Sequence, residues 1–197
     1  SMQWAAGTRR ERGKDKGQPM SVVIVTGAAG GIGVGICAAL RGVHTVVGVD
    51  IVAGPDIVQL DITDATAVTE LVDRLATSHG AISGLVNNAA VGPLGTVVDT
   101  NEETFDHIVG VNLKGTFLMS RAVVPHMTAA GSGSIVNIGS GAAHGKADMA
   151  VYAASKAAVH ALSMSMARDH FDQHIRVNTV VPGGGGIVSG LSLGRTG

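Results

Sequence analysis

The sequence predicts a doubly wound α/β domain on a parallel sheet of about six strands, and three observations lead there. Short β-branched runs alternate with longer stretches of helical period along most of the chain. The runs are apolar on both faces, as strands are when crossover helices cover a sheet on both sides. A glycine-rich turn, TGAAGGIG, follows the first run and opens the first helical stretch, the junction typical of doubly wound sheets.

The elements follow in order. SVVIVT (21–26) reads as the first strand and GIGVGICAAL (31–40) as the helix behind it. HTVVGVD (44–50) is the second strand. Only about six residues, IVAGPD, separate it from DIVQL (56–60), too few for an ordinary crossover, so a short turn or a stub of helix is expected. DATAVTELVDRLATSH (64–79) has helical period, and AISGLVNN (81–88) is the fourth strand. NEETFDHIVGVNLKGTFLMSRAVVPHM (101–127) reads as one long helix, GSIVNIGS (133–140) as a strand, VYAASKAAVHALSMSMARDHF (151–171) as a helix and HIRVNTVV (174–181) as the sixth strand.

Composition narrows the functional classes. A chain of 197 residues, 45% apolar, 15% charged and holding 29 glycines, is one compact domain with many tight turns. The net charge is −1, and the basic residues gather in TRRERGKDKG; the rest is mildly acidic, which argues against a nucleic-acid groove. Residues 1–19 are expected to be a disordered arm or an added extension, with the folded domain at 20–197. The single cysteine, Cys37, has no partner for a disulfide, so a reducing, cytoplasmic setting is expected. No apolar run is long enough for a membrane span.

Gly27, Gly31 and Gly33 lie at the spacing a dinucleotide pyrophosphate needs, where backbone N–H groups at a helix N-terminus must be approached more closely than a Cβ allows. Asp50 ends the next strand, seventeen residues after Gly33, where a carboxylate accepts hydrogen bonds from adenosine ribose hydroxyls. That carboxylate repels a 2′-phosphate, and neither Gly30 nor Ile51 supplies a positive charge to receive one, so NAD is expected over NADP.

The only tyrosine of the chain, Tyr152, stands four residues before Lys156, so the two share a helical face. A free phenol titrates near pH ~10, and an adjacent ammonium favours the phenolate, which suits the residue to proton transfer at neutrality.

TGAAGGIG, LVNNAA, GVNLKGT, SIVNIGS and YAASK occur in the order and approximate spacing of the short-chain dehydrogenase/reductase (SDR) family, which residues 20–188 resemble. The resemblance implies a Rossmann-type sheet in the order 3-2-1-4-5-6, NAD(P)-dependent alcohol or ketone chemistry and a tetrad of Asn112, Ser140, Tyr152 and Lys156. It makes Tyr152 the proton donor and acceptor and Lys156 the group that tunes it and binds the nicotinamide ribose. By the same resemblance Ser140 would hold the substrate oxygen, and Asn112 would position a water linking the lysine to solvent. On the cofactor side it assigns Gly27, Gly31, Ile32 and Gly33 to the phosphate loop, Asp61 and Ile62 to the adenine pocket, Asn88 and Ala89 to the segment beside the cofactor, and Pro182 and Gly183 to a nicotinamide turn. It also implies a homodimer or homotetramer, paired through the helices of 101–120 and 151–167.

Three departures from the family pattern stand out. Ala90 replaces a glycine, Ser140 precedes Tyr152 by twelve residues where thirteen is commoner, and after VVPGG the chain reads GGIVSGLSLGRTG and ends. The C-terminal part of the usual fold, with its substrate loop, a helix and a seventh strand, is therefore expected to be absent.

No metal site is expected: His170 and His174 share a helical spacing but lack a third ligand. His144, Met149 and Val151 lie where a substrate could touch them, although each also reads as loop or packing; Met164 and Met166 read as core or interface filler. The leading expectation is an NAD-dependent enzyme interconverting a secondary alcohol and a ketone. The alternatives are an NADPH-dependent 3-oxoacyl-carrier reductase and a non-catalytic nucleotide-binding domain, and the substrate itself is not legible.

Overall fold

The computed structural model describes residues 21–183; the expectations for residues 1–19 and for the chain after Gly183 lie outside the described residues. Six strands form one parallel sheet: β1 (Val22–Thr26), β2 (Thr45–Asp50), β3 (Ile57–Gln59), β4 (Ile82–Asn87), β5 (Gly133–Ile138) and β6 (Ile175–Val180). Their order is β3-β2-β1-β4-β5-β6, as the resemblance implied. β1 is buried throughout and lies at the centre, pairing Val22 with Thr45 on one side and with Ile82 on the other.

Strand alternation gives each face its own core. Val22 and Ile24 of β1 join Leu85 and Ile135 under two helices, α2 (Ala65–His79) and α4 (Thr116–Ala130), through Leu71, Val72, Met119 and Val123. Val23 and Val25 face the other way, onto Cys37 of α1 (Gly31–Leu40) and onto Val86 and Ile138. Burial of this Cys37 thiol raises its pKa, as an inert core cysteine requires.

Local chemistry sets the helix ends. The Asp64 carboxylate accepts from the N–H groups of Thr66 and Ala67 to start α2, and the Asn101 side chain accepts from Thr104 N to start α3 (Glu102–Val109). Gly131, in the left-handed region at φ 74°, ends α4. The last helix, α5 (Ala150–Asp169), carries Tyr152 and Lys156.

Two expectations are refined. The link from β2 to β3 is a turn, in which Ile57 N donates to Gly54 O and Asp56 takes a positive φ of 58°; β3 is a three-residue edge strand, so no covering helix is needed. The stretch 101–127 is not one helix: a π-helical segment, Gly110–Gly115, separates α3 from α4. Its wider turn seats Gly115 against Ile62, where a Cβ would come 2.5 Å from the Ile62 side chain, and turns Asn112 inward to complete burial.

Candidate active site

The glycine loop, Asp50, Asp61 and Ile62, Asn88 and Ala89, Ser140, and Pro182 and Gly183 lie at or just beyond the carboxyl ends of the strands, the side of an open α/β sheet where ligands bind, and Asn112, Tyr152 and Lys156 come from helical elements. The glycine loop leaves β1 through Gly27, whose φ of 66° suits glycine and where a Cβ would sit 2.8 Å from Ala89 Cα. A Cβ on Gly33 would collide with the Gly27 carbonyl oxygen, so helix and loop touch backbone to backbone. Gly30 caps α1 without a side chain, which leaves the N–H groups of Gly31, Ile32 and Gly33 without a side-chain acceptor at the helix start.

Thr26 stitches this loop to the next segment. Its Oγ1 accepts from the N–H groups of both Asn88 and Ala89 at 3.1 Å, while Asn88 Nδ2 donates to the carbonyls of Thr26 and Gly27 at 3.0 Å. Asn88 and Ala89 thus stand against the glycine loop, with the Asn88 amide engaged in holding it. Ala90 is not among the residues of positive φ, so alanine in place of glycine costs no backbone strain there.

Asp50 lies beside the loop as the spacing predicts. Its Oδ2 accepts from Ala29 N at 2.9 Å and its Oδ1 from Val52 N at 3.0 Å, so the carboxylate also fixes the glycine turn. Asp61 is exposed and uses Oδ1 to accept from the N–H and hydroxyl of Thr63, while the Ile62 side chain is buried in the core. Pro182 and Gly183 are exposed just after β6.

On the other side of the sheet centre, Tyr152 and Lys156 are 7% and 4% exposed. The Lys156 ammonium donates to Ile138 O at 2.7 Å and stands 5.9 Å from the centre of the Tyr152 ring. Burial lowers its pKa from 10.5 to about 8, so the amine is still mainly charged at neutral pH. Tyr152 packs with Met149 and Ala142, and Ala142 N in turn donates to Ser140 Oγ at 3.2 Å. The short turn begun by Ser140 therefore rests on the tyrosine, even with the shorter spacing between them.

Asn112 is 1% exposed and its side chain is fully engaged: Oδ1 accepts from Val91 N at 2.8 Å, and Nδ2 donates to Val91 O at 2.9 Å and Ser155 Oγ at 3.0 Å. Its carbonyl accepts from the Thr116 hydroxyl at 2.8 Å. Sequence reasoning did not reach Val91, Thr26 or Ser155; for Ser155 the available signal was a lone hydroxyl in an alanine-rich run three residues after the tyrosine.

Among the flanking residues, Met149 packs on Tyr152, Val151 is half-buried and His144 is exposed. Met166 belongs to the core and Met164 is exposed, so the filler expectation holds for the first. His170 caps the end of α5 and His174 stands past a further short turn at a positive φ of 57°, so the two do not share a helix, and the described residues hold no cluster of three metal-ligating side chains.

The model of the short chain dehydrogenase family matches residues 21–187. This chain belongs to that family. Among curated SDR relatives it is 40% identical over 136 residues to inactive 2-(S)-hydroxypropyl-CoM dehydrogenase 2 of Xanthobacter autotrophicus, covering 68% of this chain and 58% of the relative. It is 38% identical over 125 residues to the 3-oxoacyl-[acyl-carrier-protein] reductase FabG of Thermotoga maritima, covering 63% of this chain and 51% of the reductase. The crystal structure of NAD+-bound xylitol dehydrogenase superposes with a TM-score of 0.79 at 31% identity, covering 85% of this chain and 72% of the other. The chain thus spans between half and three-fifths of the length of those two curated relatives.

SDR proteins bind a nicotinamide dinucleotide, and the residues present fit one. Gly27 and Gly33 let the loop and helix lie backbone to backbone where a Cβ would clash, the first N–H groups of α1 are left without a side-chain cap, and Asp50 stands beside the loop. No helix among the described residues is long and apolar enough to cross a membrane.

Proposed function

We propose that this SDR protein is an NAD-dependent oxidoreductase interconverting a secondary alcohol and a ketone. The observation that carries it is the buried Tyr152 and Lys156 pair, fastened by Lys156 to the end of β5 and packed against the turn begun by Ser140. Nothing in the folding of α5 requires these two side chains together, and burying a lysine is unfavourable unless it serves something.

Gly31, Ile32 and Gly33 would hold the pyrophosphate, Asp50 the adenosine ribose, and Lys156 the nicotinamide ribose. When bound, the cofactor supplies the hydride acceptor or donor. Tyr152 takes the hydroxyl proton from an alcohol, or returns it to a ketone oxygen. Lys156, one helical turn on, stabilises the phenolate, and Ser140 donates a hydrogen bond to the substrate oxygen as charge develops. Asn112, with its side chain committed to Val91 and Ser155, contributes by holding the segment beside the cofactor and leaves any water to its backbone carbonyl.

Asp50 supports NAD over NADP, and a structural neighbour carries NAD+. The similarity to FabG favours a second reading, an NADPH-dependent reductase of a carrier-bound 3-oxoacyl group. Titration with NADH and then NADPH, followed by a screen of secondary alcohols, separates the two. Saturable NADH binding with turnover lost in Tyr152→Phe supports the dehydrogenase; a preference for NADPH with thioester reduction supports the other. Binding without turnover in the unchanged chain would make it a nucleotide-binding domain. The substrate is a small molecule in either enzymatic case, a homodimer or homotetramer is the assembly we propose, and a free buried Cys37 suits the reducing cytoplasm.

A further inference from the structure

Ser155 is 2% exposed, yet no step above uses it. Its hydroxyl donates to the carbonyl of Tyr152 at 2.7 Å and accepts from Asn112 Nδ2 at 3.0 Å. One side of that bridge is therefore the backbone of the tyrosine itself. The other leads through Asn112 to both backbone groups of Val91, three residues beyond the Asn88 that holds the glycine loop. The π-helical turn and the first turns of α5 meet at one oxygen, and Asn112 carries the link on to the segment after β4.

The geometry points to Ser155 as a positioning residue, which sets the Tyr152 turn of α5 against the segment beside the cofactor by way of Asn112. Its action on turnover rests on the proposed role of Tyr152; its action on the position of the tyrosine does not.

The chemistry favours a hydroxyl over its neighbours' methyl groups. Asn112 Nδ2 has two protons and spends one on Val91 O; the other is buried with Ser155 Oγ as its acceptor. Alanine at 155 would strand that proton, and the amide would turn to recover a partner, loosening its grip on Val91. A serine back-bonded to the preceding turn also shapes the local helix, here at the carbonyl of the tyrosine.

The molecule supplies its own control. Two turns further along α5, Ser163 donates to Val159 O at 2.7 Å and accepts from Asn137 Nδ2 at 2.7 Å, and it is 3% exposed. This second pair has the same chemistry and burial but faces no site residue, so Ser163→Ala matches the loss of a buried bridge without its consequence for Tyr152.

Because Tyr152 is the only tyrosine, ring-labelled tyrosine gives one NMR signal from the full chain. Ser155→Ala is expected to move that signal and speed exchange of the Asn112 side-chain amide protons, while Ser163→Ala leaves both in place. With an alcohol that turns over, Ser155→Ala lowers kcat about tenfold, part of the ~10²–10⁴ that a positioned proton donor contributes, with NADH affinity kept. An unmoved tyrosine signal in Ser155→Ala, or an equal displacement in both variants, overturns the proposal. Retained turnover in Tyr152→Phe would instead overturn the proposed catalytic role and leave the NMR result standing.

Discussion

Lys156 Nζ donates a 2.7 Å hydrogen bond to the carbonyl oxygen of Ile138, two residues before Ser140. The helix carrying the lone tyrosine is thereby fastened to the strand end that presents the serine, and one ammonium serves both as anchor and as neighbouring charge. Removing either half of the Tyr152 and Lys156 pair should therefore have a different signature.

Tyr152→Phe keeps the ring, its packing on Met149 and Ala142, and the cofactor cradle. The expected outcome is a fall in kcat of at least ~10²-fold, the lower end of what a positioned proton donor contributes, with NADH affinity within about twofold of the parent. Steady-state kinetics beside a fluorescence titration of NADH checks both halves.

Lys156→Met removes the titration that burial has displaced. With its folded pKa at about 8 against an ordinary 10.5, the lysine is protonated in both folded and unfolded chains at lower pH, and the folded chain bears the cost of the buried charge. Between those two values the folded chain releases the proton and the unfolded one keeps it. Stability of the parent relative to Lys156→Met should thus be flat below about 8, rise with pH through that window by about 3 kcal/mol, and level off above it. Urea unfolding of both proteins across the window measures it.

Gly33→Ala tests the cradle. The added methyl would meet the Gly27 carbonyl, a backbone group with no freedom to step aside. Lowered thermal stability and a loss of NADH affinity of about tenfold or more are expected, since the loop must open at the proposed pyrophosphate site. Gly35→Ala on the same helix, where a Cβ meets nothing within 4 Å, should leave binding unchanged.

Asp50→Ser with Ile51→Arg exchanges a carboxylate for a guanidinium at the proposed ribose position. The ratio of NADPH to NADH affinity should rise by about tenfold or more. The price is some loss of loop order, because Asp50 also accepts from Ala29 N and Val52 N, and a lowered melting temperature would report it.

All six strands and the ends of α1 and α2 were legible in the sequence because hydrophobic period and glycine punctuation agree there. The π-helical segment was not. Period counting assigns 101–127 to one helix because a single widened turn at Gly110–Gly115 shifts the pattern by too little to notice, and the residues that turn packs against and bonds, Ile62 and Val91, lie outside the stretch. The same distance hid Ser155, whose role depends on Asn112, forty-three residues earlier. Tyr152, Lys156, Asp50 and the glycines were readable because spacing alone constrains them. The hydrogen bonds of Asp61 and Asn88 were not, since Asp61 turns to the N–H and hydroxyl of Thr63 and Asn88 to the carbonyls of Thr26 and Gly27.

The strand order also governs how the chain comes to be folded. Val22 pairs with Thr45 on one side and with Ile82, sixty residues away, on the other. During synthesis β1, β2 and β3 can associate as soon as they emerge, but the sheet has no second half until β4 follows. Closing that loop has an entropic cost that is met before the pairing is gained. Until it closes, the apolar edge of β1 stands open to any other strand, so between the appearance of Gln59 and of Asn87 a nascent chain needs shielding from aggregation at that edge.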